Sequence, residues 1–155
     1  LMVRVRASST LPFVMPAVHI DGHVYYDGGL GQGAGIPLQL ALDSGCSRIF
    51  AILTRPKGFR KPAPDIGRSA RMIANSYHKY PYVREALLTR NERYNAELEK
   101  LEQLAAEGKA YIVYADKMAV ENNTTDIKKL RSSYFDGYNQ AQKEFPRWLE
   151  WLGIE

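Results

Sequence analysis

A chain of 155 residues that is 45% hydrophobic can bury one core, and a net charge of +4 is too small to single out nucleic acid or an anionic surface as its partner. The single cysteine, Cys46, excludes an internal disulfide and a multi-cysteine metal site. No apolar run approaches a membrane span, and nothing resembles a signal peptide.

The chain opens on Val3 and Val5 alternating with Arg4 and Arg6, the period-two pattern of a strand. Ala7-Ser8-Ser9 is a small-residue turn. Val18–Ile20 and His23–Tyr26 read as two short strands joined by Asp21-Gly22, a dipeptide that suits a tight hairpin because it tolerates positive φ. The hairpin ends in Asp27, followed by Gly28 and Gly29. Lacking Cβ atoms, these glycines let the backbone turn sharply and pass close to another group, leaving the Asp27 carboxylate at a strand end where it can accept a proton. The plainer reading of Asp-Gly-Gly is an Asx-type turn.

Gln32-Gly33-Ala34-Gly35 lacks the spacing and preceding strand of a dinucleotide fingerprint and reads as a flexible connection. A helix is expected from about Pro37, with Leu38, Ala41 and Leu42 on its apolar face and Gly45 as its C-terminal cap. Cys46 is expected to be a small buried residue. Arg48–Thr54, RIFAILT, has the length and β-branched composition of a buried parallel strand. Arg55–Asp65, with three prolines and four basic residues, reads as a mobile loop, after which Asp65 is positioned to cap a helix carrying Ile66, Ala70 and Ile73.

Pro81–Glu107 reads as one long amphipathic helix with Val83, Leu87, Tyr94, Leu98, Leu101 and Ala105 on its apolar side. Its acidic residues, Glu97 among them, are expected in solvent. Gly108 ends it and Ala110–Tyr114 is a further strand. Asn122–Thr125 signals a turn and cap, and Ile127, Leu130, Tyr134, Tyr138, Ala141 and Phe145 form a helical stripe up to Pro146, followed by a short Trp148–Leu152 tail.

The stretch Ala7–Gly31, with its small-residue turn and its hairpin closing on Asp27-Gly28-Gly29, resembles the patatin-like phospholipases. Ala110–Tyr114, Asp126 with Leu130, and Tyr134-x-x-Gly137-Tyr138 resemble the C-terminal region of bacterial members. The resemblance implies an α/β fold: the C-terminal part of a three-layer, mostly parallel sheet with flanking helices over 1–55, a basic Pro-rich loop over 56–65, and an α-rich region with one strand over 66–155. It also implies a Ser-Asp dyad in which Asp27 is catalytic and Gly28 and Gly29 shape the site. The family's Gly-x-Ser-x-Gly elbow and oxyanion loop match no serine here, neither Ser8, Ser9, Ser44, Ser47, Ser69, Ser76, Ser132 nor Ser133. The chain is accordingly expected to be a C-terminal half, inactive alone, beginning at Leu1 without an initiator methionine. The missing half would supply the serine and cover an apolar sheet edge.

The implied substrate is an acyl ester or phospholipid, with no cofactor or metal, no nucleic acid, and a cytoplasmic or membrane-peripheral setting with transient surface contact. Two rival readings rest on residues alone. His19, Asp21 and His23 form H-x-D-x-H, but the intervening turn breaks the extended face a metal would need. Alternatively, Arg55, Lys57, Arg60 and Lys61, with Tyr77, Tyr80 and Tyr82 beside His78, Lys79 and Arg84, would make a non-catalytic binding module for an acidic partner, either an anionic lipid surface or nucleic acid. For these tyrosines, core or rim positions are the plainer expectation.

Overall fold

The computed structural model describes residues 1–63, 67–121 and 124–154. Of these, 51% are helical and 11% lie in strands, so the fold is a mixed α/β arrangement with small sheets. It forms two compact units that interleave along the chain, one of Leu1–Ser47 with Arg60–Gln103 and one of Arg48–Phe59 with Leu104–Glu155.

The first unit begins with α1 (Met2–Ser8), where the Val3/Val5 alternation predicts a strand. A strand needs a ladder partner for its backbone groups, whereas a helix satisfies them within itself. None of the described strands pairs with residues 1–8. Ala7 is the buried contact of α1, which lies against the hairpin of β1 (Val18–Ile20) and β2 (His23–Tyr25). The strands pair antiparallel in the register Val18↔Tyr25, His19↔Val24, Ile20↔His23. Asp21 and Gly22 both take positive φ, 50° and 79°, as a two-residue hairpin turn requires.

After a 3₁₀ turn at Gly28–Leu30 comes α2 (Leu38–Asp43), with Pro37 as its N-cap residue. The Gly45 N–H donates to Leu42 O and the Cys46 N–H to Ala41 O, a Schellman ending. That places Cys46 outside the helix and exposed, not buried. Within Gln32–Gly35 the middle is packed, with Ala34 1% exposed and Gly33 buried, while Gln32 and Gly35 are exposed.

The unit continues through α3 (Arg68–Ser76), α4 (Pro81–Leu88) and α5 (Arg90–Ala106). Asp65 and Ile66, expected to cap and line α3, lie outside the described residues. The single helix expected over Pro81–Glu107 is broken at Thr89. The Thr89 hydroxyl donates back to Glu85 O at 2.9 Å and accepts from Arg93 Nε at 3.1 Å, competing with regular helix geometry. Tyr94, Leu98 and Leu101 bury the inner face of α5 as expected, but so does Glu97, 5% exposed. Its Oε1 pairs with Lys100 at 3.0 Å and its Oε2 has no hydrogen-bond partner among the described residues. The Arg60–Pro62 portion of the basic loop is tied to α5. Asn95 exchanges two 2.9 Å bonds with the Lys61 backbone, Asn91 donates to Pro62 O, and Arg60 pairs with Glu102 at 2.5 Å.

In the second unit β3 (Ile49–Leu53) and β4 (Ala110–Tyr114) pair parallel, from Ile49↔Ala110 to Leu53↔Tyr114. Gly108 and Lys109 close the end of α5 with another Schellman pair, to Ala105 O and Leu104 O. Contrary to the expectation of a buried strand, β3 is only half-buried and Ile52 is 65% exposed, because this two-stranded sheet is not covered along its whole face.

Next is α6 (Ile127–Leu152), capped by Asp126, which accepts from the N–H groups of Lys128 and Lys129. Of the expected turn signal, Asn122 and Asn123 lie outside the described residues. The helix runs through Pro146 instead of stopping there. Trp148 and Trp151 hold its last turns against Phe50 and the stacked Tyr111, and the Arg48 guanidinium covers Trp151 at 4.2 Å. The predicted apolar stripe faces outward, with Ile127, Tyr134, Tyr138 and Phe145 between 49% and 66% exposed, while Ser133, Asp136 and Gln140 are half-buried. Among the described residues no helix is long and apolar enough to cross a membrane.

Candidate active site around Asp27

The hairpin delivers Asp27 to a fixed place. Its N–H donates to Thr10 O at 2.9 Å, joining the end of β2 to the residues that follow α1. Thr10 is fully buried and bonds its own hydroxyl to Arg6 O at 2.7 Å, so the anchor is itself held. Asp27 is then the N-cap of the Gly28–Leu30 turn, with Oδ1 accepting from the Gly29 N–H at 2.7 Å. No other hydrogen bond reaches this carboxylate among the described residues, and the side chain is half-buried, leaving Oδ2 able to accept a proton.

The two glycines differ in what they contribute. A Cβ on Gly28 would meet Ser8 Oγ at 3.6 Å, ordinary contact. A Cβ on Gly29 would stand 2.8 Å from Asp27 Oδ1 and 2.9 Å from Arg90 Nη2, so a side chain there would displace the capping carboxylate and the guanidinium from their places. A cleft of about 380 Å³ borders Gly28, lined by Arg4, Ala7, Ser8, Tyr25 and Tyr26 among others.

The sequence reading missed the arginines that hold the turn from behind. Arg90 Nε donates to Gly29 O at 3.2 Å. Arg93 donates to Leu30 O at 3.2 Å, to Gly31 O and to Ala86 O at 2.8 Å. Their signal in sequence is faint, since arginines three apart in a charged helix read as solvated surface. Only the turn's bare carbonyls, invisible in sequence, give them partners.

The tyrosines divide. Tyr77 is buried, edge-on to Phe13 at 4.9 Å and to Tyr26 at 6.1 Å, and its hydroxyl accepts from the Phe13 N–H at 3.1 Å. Tyr80 and Tyr82 are 59% and 85% exposed. Burial pushes the Tyr26 phenol above its ordinary value, helped by its hydrogen bond to Tyr77 and by repulsion from Tyr77 and Tyr80. His19 and His23 are exposed on opposite strands, and no group of three or more His, Cys, Asp or Glu among the described residues could hold a metal ion.

Residues 80–153 match the model of a family described as a domain of unknown function, DUF6363; the matched stretch contains Arg90 and Arg93 but begins after Asp27. No curated protein and no solved structure matches the chain.

Proposed function

We propose that the chain is the C-terminal part of a patatin-like lipid acyl hydrolase in which Asp27 is the base of a Ser-Asp dyad, with the serine and oxyanion donors contributed by sequence outside these 155 residues. The observation that carries the reading is the posture of Asp27. It is a half-buried carboxylate at the end of a hairpin, fixed through one oxygen by Gly29 and through its backbone by Thr10. An Asx cap alone has the same first oxygen, so the proposal rests on the second.

In the reaction, the serine oxygen attacks the ester carbonyl while its proton passes to Asp27 Oδ2. Collapse of the tetrahedral intermediate expels the alcohol, which takes that proton, and water then repeats the sequence on the acyl-enzyme. Backbone N–H groups of the oxyanion loop stabilise the developing charge. The arginines behind the turn act as positioning residues, since they bond the turn's carbonyls and not the carboxylate.

The test is Asp27→Asn in the complete protein. Asparagine keeps an oxygen to cap Gly29, so the fold should survive while hydrolysis of a p-nitrophenyl ester falls by about 10² to 10⁴. Retained turnover in a folded variant would reduce Asp27 to a cap and end the dyad reading.

A further inference from the structure

The outward stripe of α6 carries a seven-residue repeat. Ile127, Tyr134, Ala141 and Trp148 recur along it every seven residues. Arg131, Tyr138, Phe145 and Leu152 do the same, four residues further on. A repeat of this kind on one helix forms a seam for a second helix. The middle of the seam is ordered in advance: Tyr134 stacks on Tyr138 at 6.3 Å, Phe135 meets Tyr134 edge-on at 5.4 Å, and the Tyr138 hydroxyl accepts from Gln142 Nε2 at 3.0 Å. Side chains already held by their neighbours lose less freedom on binding.

The surface left in water along this seam matches what a dimer needs. Tyr134, Phe135, Tyr138 and Phe145 are 66%, 57%, 49% and 53% exposed. At about 150–250 Å² per aromatic side chain, they leave about 340–560 Å² per copy uncovered. That alone is the size of the largest apolar patch on a typical monomer, about 300–600 Å². Ile127, Leu130 and Leu152, 65%, 44% and 39% exposed, extend it. Two such faces brought together remove on the order of 1,000 Å² from water, the area a specific interface has to reach.

We propose that the protein dimerises through α6, two copies packing antiparallel about a two-fold axis beside Asn139 and Gln140. In that register Tyr138 of one copy faces Ala141 of the other, Tyr134 faces Phe145 and Ile127 faces Leu152. Each large ring meets a small residue or another ring, and the ends are aliphatic, so the seam complements itself. Arg131 lies opposite Trp148, where a guanidinium can stack on the indole. Parallel pairing would instead set Arg131 against its own copy, like charge facing like charge across the seam.

Sedimentation equilibrium of the purified protein tests this, with a dimer expected at a Kd of about 1–10 μM, in keeping with an interface of modest size. Tyr138→Glu, which places a carboxylate near the two-fold axis at an exposed helical position, should weaken the dimer at least about a hundredfold with helicity retained by circular dichroism. Tyr134→Lys reads the same loss if that variant folds poorly. Oxidation in a Cys46→Ser background reads the direction. Ile127 and Leu152 lie about 37 Å apart along one helix, too far for a bridge within a chain. The Ile127→Cys/Leu152→Cys variant should therefore form a covalent dimer, and Ile127→Cys alone should not. A wild type that stays monomeric at about 100 μM would overturn the proposal, and its binding to phosphatidylcholine vesicles through Tyr138 would give the stripe to a membrane surface instead. Dimers unaffected by Tyr138→Glu, or linked by Ile127→Cys alone, would overturn it as well. Because the readout is self-association, it stands or falls separately from ester hydrolysis at Asp27.

Discussion

Asp27 and Arg90 approach the same point from opposite sides of Gly29: Oδ1 and Nη2 lie 2.8 and 2.9 Å from where a Gly29 side chain would begin, without forming an ion pair within 4.0 Å. The arginine spends its Nε hydrogen bond on the Gly29 carbonyl, while the aspartate spends one oxygen on the Gly29 N–H. Gly29 is thus held through both of its backbone polar groups, its N–H by Asp27 and its C=O by Arg90, and the second carboxylate oxygen is left uncommitted.

Gly29→Ala should therefore cost about 1–3 kcal/mol, the range for inserting a methyl group into filled space, and should break the Asp27 cap. Gly28→Ala, meeting only Ser8 Oγ at 3.6 Å, should stay within about 0.5 kcal/mol. Urea unfolding of both variants checks the order. A larger penalty at Gly28 would mean that the turn is held differently.

The grip of Arg93 is broader, reaching three backbone carbonyls and the Thr89 hydroxyl. Removing a half-buried guanidinium that satisfies so many acceptors should cost about 2–4 kcal/mol in Arg93→Ala. Arg93→Lys should recover less than half of that, because an ammonium cannot span the same fork of donors. Full rescue by lysine would show that charge alone matters at this position.

Tyr26 links this region to pH. Its phenol is held above the ordinary 10.0 by burial and by its bond to Tyr77, so the folded state favours the neutral form. A group whose folded pKa is raised contributes stability that is complete below the unfolded value and is lost as pH rises through the folded one. Melting temperature should therefore fall as pH climbs above about 10, and Tyr26→Phe should flatten that part of the profile. A wild-type profile no steeper than that of the variant would contradict the assignment.

Local rules made the hairpin, the Gly45 and Gly108 endings and the β3 and β4 strands legible, because each depends on a few neighbouring residues: positive φ at Asp21-Gly22, an open backbone after a helix, a β-branched run. What failed depends on partners that hydrophobic periodicity does not register, some of them distant in sequence. Val3 and Val5 alternate over too few residues to distinguish a strand from the helix they occupy. Thr89 breaks a helix through hydrogen bonds of its hydroxyl that periodicity does not register. The stripe of α6 points the other way because Trp148 and Trp151, not Tyr134 and Tyr138, find aromatic partners on the sheet. At the candidate site Asp27, Gly28 and Gly29 could be named from the sequence, whereas Thr10 joins Asp27 only by a backbone bond, and Arg90 and Arg93 reach the carbonyls of Gly29 and Leu30 with their side chains from across the fold.

Pro146 gives the sharpest test of that distant control. Proline lacks the N–H that would bond Gln142 O, and in a helix interior it costs about 3 kcal/mol relative to alanine. The helix nevertheless continues to Leu152, because Trp148 and Trp151 each stand within 5.7 Å of a ring of the Phe50–Tyr111 stack. Such pairs add about 0.5–1.5 kcal/mol each beyond the area they bury. Pro146→Ala should restore the missing bond and stabilise the protein by about 1–3 kcal/mol, less up to about 1 kcal/mol for the freedom regained by the unfolded chain. Trp151→Ala should do the reverse, costing about 3–5 kcal/mol and releasing the last turns of α6. Combining the two should return part of the lost helicity, readable by circular dichroism, since the backbone would no longer depend on the tryptophan to bridge its gap. If Pro146→Ala instead lowered stability, the proline would be favourable where it stands, and tryptophan packing would not be what carries α6 past it.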